Sequence, residues 1–415
     1  MLVIILFIVF SQVFAQVKIK SLPISTSFEP LEPGTTIVDQ DMARFNSQFA
    51  RHEKRTHNVE LKGTGIVHTV NIGVGSPIAR YYNLAIDTGS SDTWLEDRLG
   101  QVKDMPGPAH RLINTGYFLC GIGVRGDLYV FLMKLKEKAN LSEDKDHVQL
   151  SSSIIITNME FGVDISMKNI NSNYDGVLGL RFRRQRVGPN NVQYMPTIMD
   201  TLVAQHIIQQ NVFGLSFETT TPQGPVIGEL NFGGTNKKYA QSINWVPITG
   251  KEPWNQYWGF EQFIQVTSSQ NNSNINSLLH TEKNLGTTLI YISPQAFEVY
   301  SQSLQGSKVA ECKLLEIPQA SLSQMKPLYF HINEVPYELT PKAQLWPQRL
   351  NHLVGGRADR HYSVINTIAG FTSPGLITPD FIIGYTFMKR FYTAYDQDNS
   401  KVGFAYTRST YAEIF

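Results

Sequence analysis

In the first half of the sequence, Tyr82-Asn83-Leu84-Ala85-Ile86 runs as an apolar strand into Asp87 and the turn Thr88-Gly89-Ser90-Ser91. That turn is answered further on by Tyr174-Asp175-Gly176-Val177-Leu178-Gly179-Leu180. The second half repeats the arrangement: Asn284-Leu285-Gly286-Thr287-Thr288-Leu289 is answered, at a comparable distance, by Pro379-Asp380-Phe381-Ile382-Ile383-Gly384. Each half thus carries a glycine turn after a strand, then an apolar strand that ends in glycine. A duplication of this kind predicts two similar lobes whose turns meet near a pseudo-dyad. An apolar strand ending on Asp places a carboxylate at the rim of a core, where Gly89 permits a tight turn and the neighbouring hydroxyls are expected to hydrogen-bond the acid.

The rest of the pattern is that of an all-β chain. Short runs rich in β-branched and aromatic residues, bounded by Gly, Asn and Pro, begin at Val59; Gly65 to Pro77, Gln149 to Ile156 and Val212 to Phe217 are examples. Gly73-Val74-Gly75 lacks a third glycine and a following helix, so it reads as a turn rather than a nucleotide loop. Helical spacing is clearest over Thr197 to Gln209 and Pro294 to Leu304, with a further piece over Asp39 to Arg51.

Composition limits the functions open to the chain. Apolar residues make up 42% of 415 positions, enough for two large cores. A formal net charge of +1, with no long run of one sign, gives no nucleic-acid footprint. The two cysteines, Cys120 and Cys312, lie outside any metal-ligand spacing and allow at most one bridge. No metal or cofactor is implied. Leu2 to Phe10 is apolar, too short to span a bilayer, and is followed by Ser11 to Ala15, so residues 1–15 are expected to be a secretory signal. No later run is long enough for a membrane helix. The sequons at Asn140 and Asn271 fit a secreted glycoprotein. Lys54-Arg55 is a solvated basic turn or a processing site that releases residues 16–55.

From about Val59 to the C-terminus these residues resemble the pepsin-like aspartic endopeptidases, most closely the secreted fungal ones. Further matches are Phe213 to Phe217, Gly228 to Gly234, Gln256 to Gly259, Phe387 to Asp396 and Val402 to Ala405. The resemblance implies a bilobal all-β acid-protease fold, with two pseudo-symmetric barrel-like lobes (residues 56–218 and 219–415) flanking a peptide cleft. It also implies a propeptide over 16–55 and a secreted monomer without nucleic-acid or membrane partners. The family's chemistry uses one Asp from each lobe. The pair shares a proton and activates a water, because two like charges so close cannot both ionise. Asp87 matches the first Asp, with Gly89 and Ser90 as its turn.

Asn284 stands at the second position. An amide donates a hydrogen bond but exchanges no proton. Gly286, Thr287 and Thr288 follow it as expected substrate-binding residues. Cys120 takes the place of the flap tyrosine in Cys120-Gly121-Ile122-Gly123, with Gly121 and Gly123 completing the flap tip. Leu285 replaces a hydroxyl residue, and Glu282-Lys283 put charges in a strand expected to be apolar. Two functions follow: a peptidase acting on extended peptides at acid pH, or a pseudoprotease that holds a peptide or partner in the cleft without cutting it.

Overall fold

The computed structural model describes residues 19–28, 31, 34–49, 66–75, 79–91, 93–96, 146–159, 161–164, 174–182, 184–187, 192–219, 226–239, 242–266, 274–283, 287–371 and 379–412. The signal segment, Lys54-Arg55, both sequons, Cys120, Gly121, Gly123, Asn284 and Gly286 lie outside them. In chain order the strands of the first half are β1 (Lys20–Phe28), β2 (Ile66–Val74), β3 (Arg80–Asp87), β4 (Trp94–Glu96), β5 (Asp146–Ser151), β6 (Ile154–Met159), β7 (Gly162–Asp164), β8 (Gly176–Gly179), β9 (Arg184–Val187) and β10 (Val192–Met195). There follow β11 (Val212–Thr219), β12 (Val226–Phe232), β13 (Asn244–Pro247), β14 (Phe260–Val266), β15 (Asn274–Lys283) and β16 (Ile290–Ile292). The remainder are β17 (Lys308–Val309), β18 (Leu315–Ile317), β19 (Leu328–Ile332), β20 (Val335–Leu339), β21 (His361–Tyr362), β22 (Ile365–Thr367), β23 (Phe381–Ile383), β24 (Phe391–Asp396) and β25 (Lys401–Tyr406).

Among the described residues these strands build a thirteen-stranded sheet, a seven-stranded sheet and two small ones. The large sheet runs β13-β25-β24-β11-β12-β1-β2-β3-β8-β4-β7, with β5 and β6 attached through β2. The seven-stranded sheet, order β20-β19-β14-β15-β23-β16-β22, belongs to the second half of the sequence. The last two long strands, β24 and β25, cross back, and β24 pairs with β11 from Val212↔Asp396 to Leu215↔Thr393. Side chains follow the pleat: in β19, Leu328, Phe330 and Ile332 are buried while Tyr329 and His331 are only half-buried. In β3 the exposed Tyr81 and Asn83 give way to buried Leu84, Ile86 and Asp87, so the strand dives into the core at its acidic end.

β1 is a strand that the sequence concealed. Its first half pairs with β12, from Lys20↔Phe232 to Ile24↔Gly228, and its second half with β2, from Ser25↔Thr69 to Phe28↔Ile66. Pro23 sits in the first half, exposed and outside the β2 pairing, where a missing N–H is tolerated. The expected strand over Gln149 to Ile156 is instead the hairpin β5–β6, broken at Ser152-Ser153.

Four α-helices are described. α1 (Ile37–Phe49) starts on a capping box, in which the Asp39 amide donates to the Thr36 hydroxyl at 3.2 Å and the Thr36 amide donates to the Asp39 carboxylate at 3.1 Å. α2 (Ile198–Ala204) uses the same device through Thr197 and Asp200. α3 (Pro294–Ser303) is capped by Ser293, with Pro294 at the first helical position, where its lost N–H has no partner to miss. α4 (Tyr385–Met388) is a single turn after β23.

Candidate functional site

Asp87 ends β3 and is buried. Its Oδ1 accepts the Gly89 amide at 2.9 Å. The expected bond from Ser90 is not formed: the Ser90 hydroxyl is buried but has no hydrogen-bond partner among the described residues. The turn folds its backbone amide, not its side chain, onto the acid, and Gly89 suits this because it brings no Cβ to the approach. β8 runs parallel to β3, pairing Asp87 with Gly179, and antiparallel to β4, pairing Trp94 with Val177. The entry to β8 is clamped by Asp175, whose carboxylate accepts the Asn83 amide at 2.8 Å and whose own amide donates to the Asn83 carbonyl at 2.7 Å. The turn is tied down by Leu180 donating to the Asp87 carbonyl and Arg181 to the Ser90 carbonyl, both at 2.8 Å.

The second half repeats this construction. β23 lies parallel to β15, with Lys283 opposite Ile383, and antiparallel to β16, with Ile290 opposite Ile383. The register carries β15 up to the residue before Asn284, as β3 carries the first half up to Asp87. Thr287 and Thr288, both buried, accept at their carbonyls from Tyr385 at 2.8 Å and Thr386 at 3.1 Å. Each unit contains one point of very close backbone approach. A Cβ on Gly176 would stand 2.1 Å from the Trp94 carbonyl oxygen, and one on Gly384 would stand 2.1 Å from that of Leu289. The sequence echo is therefore a structural one in its strand pairing, although the crowded glycines stand at different places, Gly176 opening β8 and Gly384 following β23.

The halves touch around these turns. The Tyr385 ring, at the start of α4, lies 4.1 Å from the His68 ring of β2 and 5.3 Å from Phe217 of β11. Burial pushes the Tyr385 hydroxyl above its ordinary range. Trp258 donates from its indole to the Leu180 carbonyl at 3.4 Å and packs on Phe213 and Tyr395.

Sequence reasoning missed one residue here. Ile37, Asp41 and Phe45 are buried along one face of α1, four residues apart. Asp41 Oδ1 accepts the Thr288 amide at 3.0 Å; its Oδ2 accepts the Leu289 amide at 3.2 Å and the Tyr291 hydroxyl at 2.8 Å. Phe45 packs edge-on against Phe371 at 5.3 Å, and Lys313 pairs with Asp39 on the same helix. Asp39 sits below the usual carboxylate range: burial works to raise it, but the Lys313 ammonium and the Thr36 hydroxyl and amide outweigh that effect. The available signal was a carboxylate on an apolar helical stripe, which has to be met by donors when buried.

Cys312 is a free, buried thiol, so the bridge to Cys120 that the sequence allowed is not made; burial pushes the Cys312 thiol up. Among the described residues no group of three or more His, Cys, Asp or Glu is placed to hold a metal, and no helix is long and apolar enough to cross a membrane.

Comparison with known proteins agrees with this construction. The profile of the eukaryotic aspartyl protease family matches residues 140–407. Polyporopepsin of Irpex lacteus is 35% identical over 350 residues, covering 83% of this chain and 95% of that protein. Cathepsin D of Clupea harengus is 25% identical over 353 residues, covering 80% and 79%. The crystal structure of the aspartic proteinase from Irpex lacteus superposes with a TM-score of 0.67 at 28% identity, covering 96% of this chain and 100% of that one. Two equivalent strand–turn–strand units and a likeness that runs through most of the sequence lead to one conclusion: the chain belongs to the pepsin-like aspartic protease family.

Proposed function

We propose that this chain is a secreted pepsin-like protein that holds an extended peptide in its cleft and hydrolyses it very poorly. The observation that carries this reading is the unequal chemistry of two equivalent turns. Asp87 is a buried acid oriented by a backbone amide, whereas the equivalent strand of the second half runs out at Asn284. Peptide hydrolysis through a carboxylate pair needs one group to take the proton of the attacking water and another to hand a proton to the reacting carbonyl. With Asn284 in the second place, Asp87 still accepts a proton and the amide still donates a hydrogen bond, but the cycle has no second proton carrier. Asp41 is an acid at the second turn, yet both its oxygens are taken up by Thr288, Leu289 and Tyr291, so it braces the turn instead of replacing the lost acid.

In this reading Gly89, Ser90, Gly286, Thr287 and Thr288 line the cleft floor, and Cys120, Gly121 and Gly123 form a flap tip without the tyrosine hydroxyl. Residues 1–15 direct secretion, 16–55 form a pro-segment of which β1 and α1 are part, and 56–218 and 219–415 form the lobes of a monomer.

The second reading is an acid endopeptidase, favoured by family membership and by the buried Asp87. A fluorogenic peptide assay at acid pH, with the natural chain, Asp87→Ala and Asn284→Asp, separates the two. We expect the natural chain to turn over no faster than Asp87→Ala, and Asn284→Asp to gain activity. Hydrolysis by the natural chain that Asp87→Ala abolishes would establish the endopeptidase instead.

A further inference from the structure

Three donors at and just after the second turn converge on a carboxylate that lies 247 to 250 residues away in sequence. Two successive amides, Thr288 and Leu289, point the same way and form an anion-receiving nest, and the Tyr291 hydroxyl completes it. The stoichiometry discriminates between acceptors. A peptide carbonyl has one oxygen with two lone pairs and leaves at least one of the three donors unmet. A side-chain amide offers one oxygen and turns an NH2 toward the remaining donors. A carboxylate has two oxygens and about four acceptor sites, enough for all three donors.

Two neighbouring features extend the preference. Lys313 meets Asp39, a second acid two residues before Asp41. Phe371, tilted against Tyr291 with ring centroids 4.4 Å apart, receives the Phe45 ring four residues after Asp41. The surface under α1 thus offers places for acids and an aromatic ring.

We propose that the Thr288–Leu289–Tyr291 cradle is a carboxylate-selecting subsite of the peptide cleft. In this structure Asp41 fills it in cis; with Asp41 removed it takes the Asp or Glu side chain of an acidic peptide. This rests on the reading of Thr288 as a residue of a peptide-binding cleft.

The test uses the full chain carrying Asp41→Ala and two short fluorescein-labelled peptides. They are identical, with one aromatic residue, except for a single Asp or Asn, and binding is read by fluorescence anisotropy at neutral pH. The acidic peptide is expected to bind the variant about tenfold or more tightly than its Asn twin, as charge-assisted hydrogen bonds predict. Adding Tyr291→Phe should lower that preference several-fold without changing the affinity for the Asn peptide. Equal binding of the two peptides overturns the carboxylate preference and leaves the peptide cleft standing. Failure of both to bind overturns the cleft reading and this proposal with it. Should Asp41→Ala fail to fold, hydrogen exchange of the α1 amides in the natural chain decides: faster exchange with the Asp peptide than with the Asn peptide supports competition for the cradle, and no difference refutes it.

Discussion

The two turns share a frame and differ in how an acid reaches them. At the first, the acid is in line: Asp87 belongs to the strand and is held by the amide two residues on. At the second, the strand ends at Lys283, the sequence continues with Asn284, and a carboxylate arrives from outside on α1, bound by the amides four and five residues beyond that position. Duplication has kept what backbone geometry requires, namely the inserted strand and its parallel and antiparallel neighbours. It has not kept an acid at the corresponding sequence position, where Asn284 stands. Fold and reactivity are thus under separate constraints within one motif.

The sharpest way to break the contrast is to make the turns chemically alike. Asn284→Asp should raise peptide turnover by about a hundredfold or more, since cooperating catalytic groups lose most of their effect when one is absent. No gain in the fluorogenic assay would mean that the cleft differs at more than this residue. The shared frame is tested next. Gly384→Ala and Gly176→Ala each force a Cβ to 2.1 Å from a carbonyl oxygen, and each should cost about 3 kcal/mol or more by urea denaturation. No loss at either glycine would refute the close backbone approaches read at the two inserted strands.

Asp41→Ala strips the second turn of its imported acid. Leaving two buried amides and a hydroxyl unmet should cost about 1–3 kcal/mol, read as a lower urea midpoint. The smallest effect is expected from Lys313→Ala, about 0.2–1 kcal/mol, because both partners of the Asp39 pair are partly exposed. Its sign with pH follows from Asp39, whose carboxyl is held below its ordinary value of 3.8. The pair's contribution is fully present above that value and is lost as pH falls through the lowered one. The natural chain and Lys313→Ala should therefore differ in stability near neutral pH and converge in strong acid. A difference that grows on acidification would contradict this.

Much of the frame was legible in the sequence because it depends on spacing. The glycine-ended runs at Gly179 and Gly384 announced the inserted strands, and the Val212 to Phe217 run announced β11. What escaped depends on contacts between distant segments. The strand over Lys20–Phe28 takes its partners from β12 and then β2, with Pro23 exposed in the β12 half, a pairing that no local spacing announces. Ser151 to Ser153 read as polar strand positions, although two of them make the β5–β6 turn. Asp41 fell in the helical piece over Asp39 to Arg51 with no role attached; its role needs three donors that lie more than two hundred residues away. The Ser90 bond was misjudged for a local reason: the tight turn brings the Gly89 amide to the acid and leaves the Ser90 hydroxyl without a partner.

The shared strand β1 has a consequence for any cut after Arg55. Its nine residues bridge two blocks of sheet, so scission of the peptide bond alone would not free them. The clipped molecule would persist as a nicked, two-piece assembly until another extended segment displaced the old one, pairing first with one block and then with the other. Maturation of this chain would then be an exchange of strands, with the cut only its opening step.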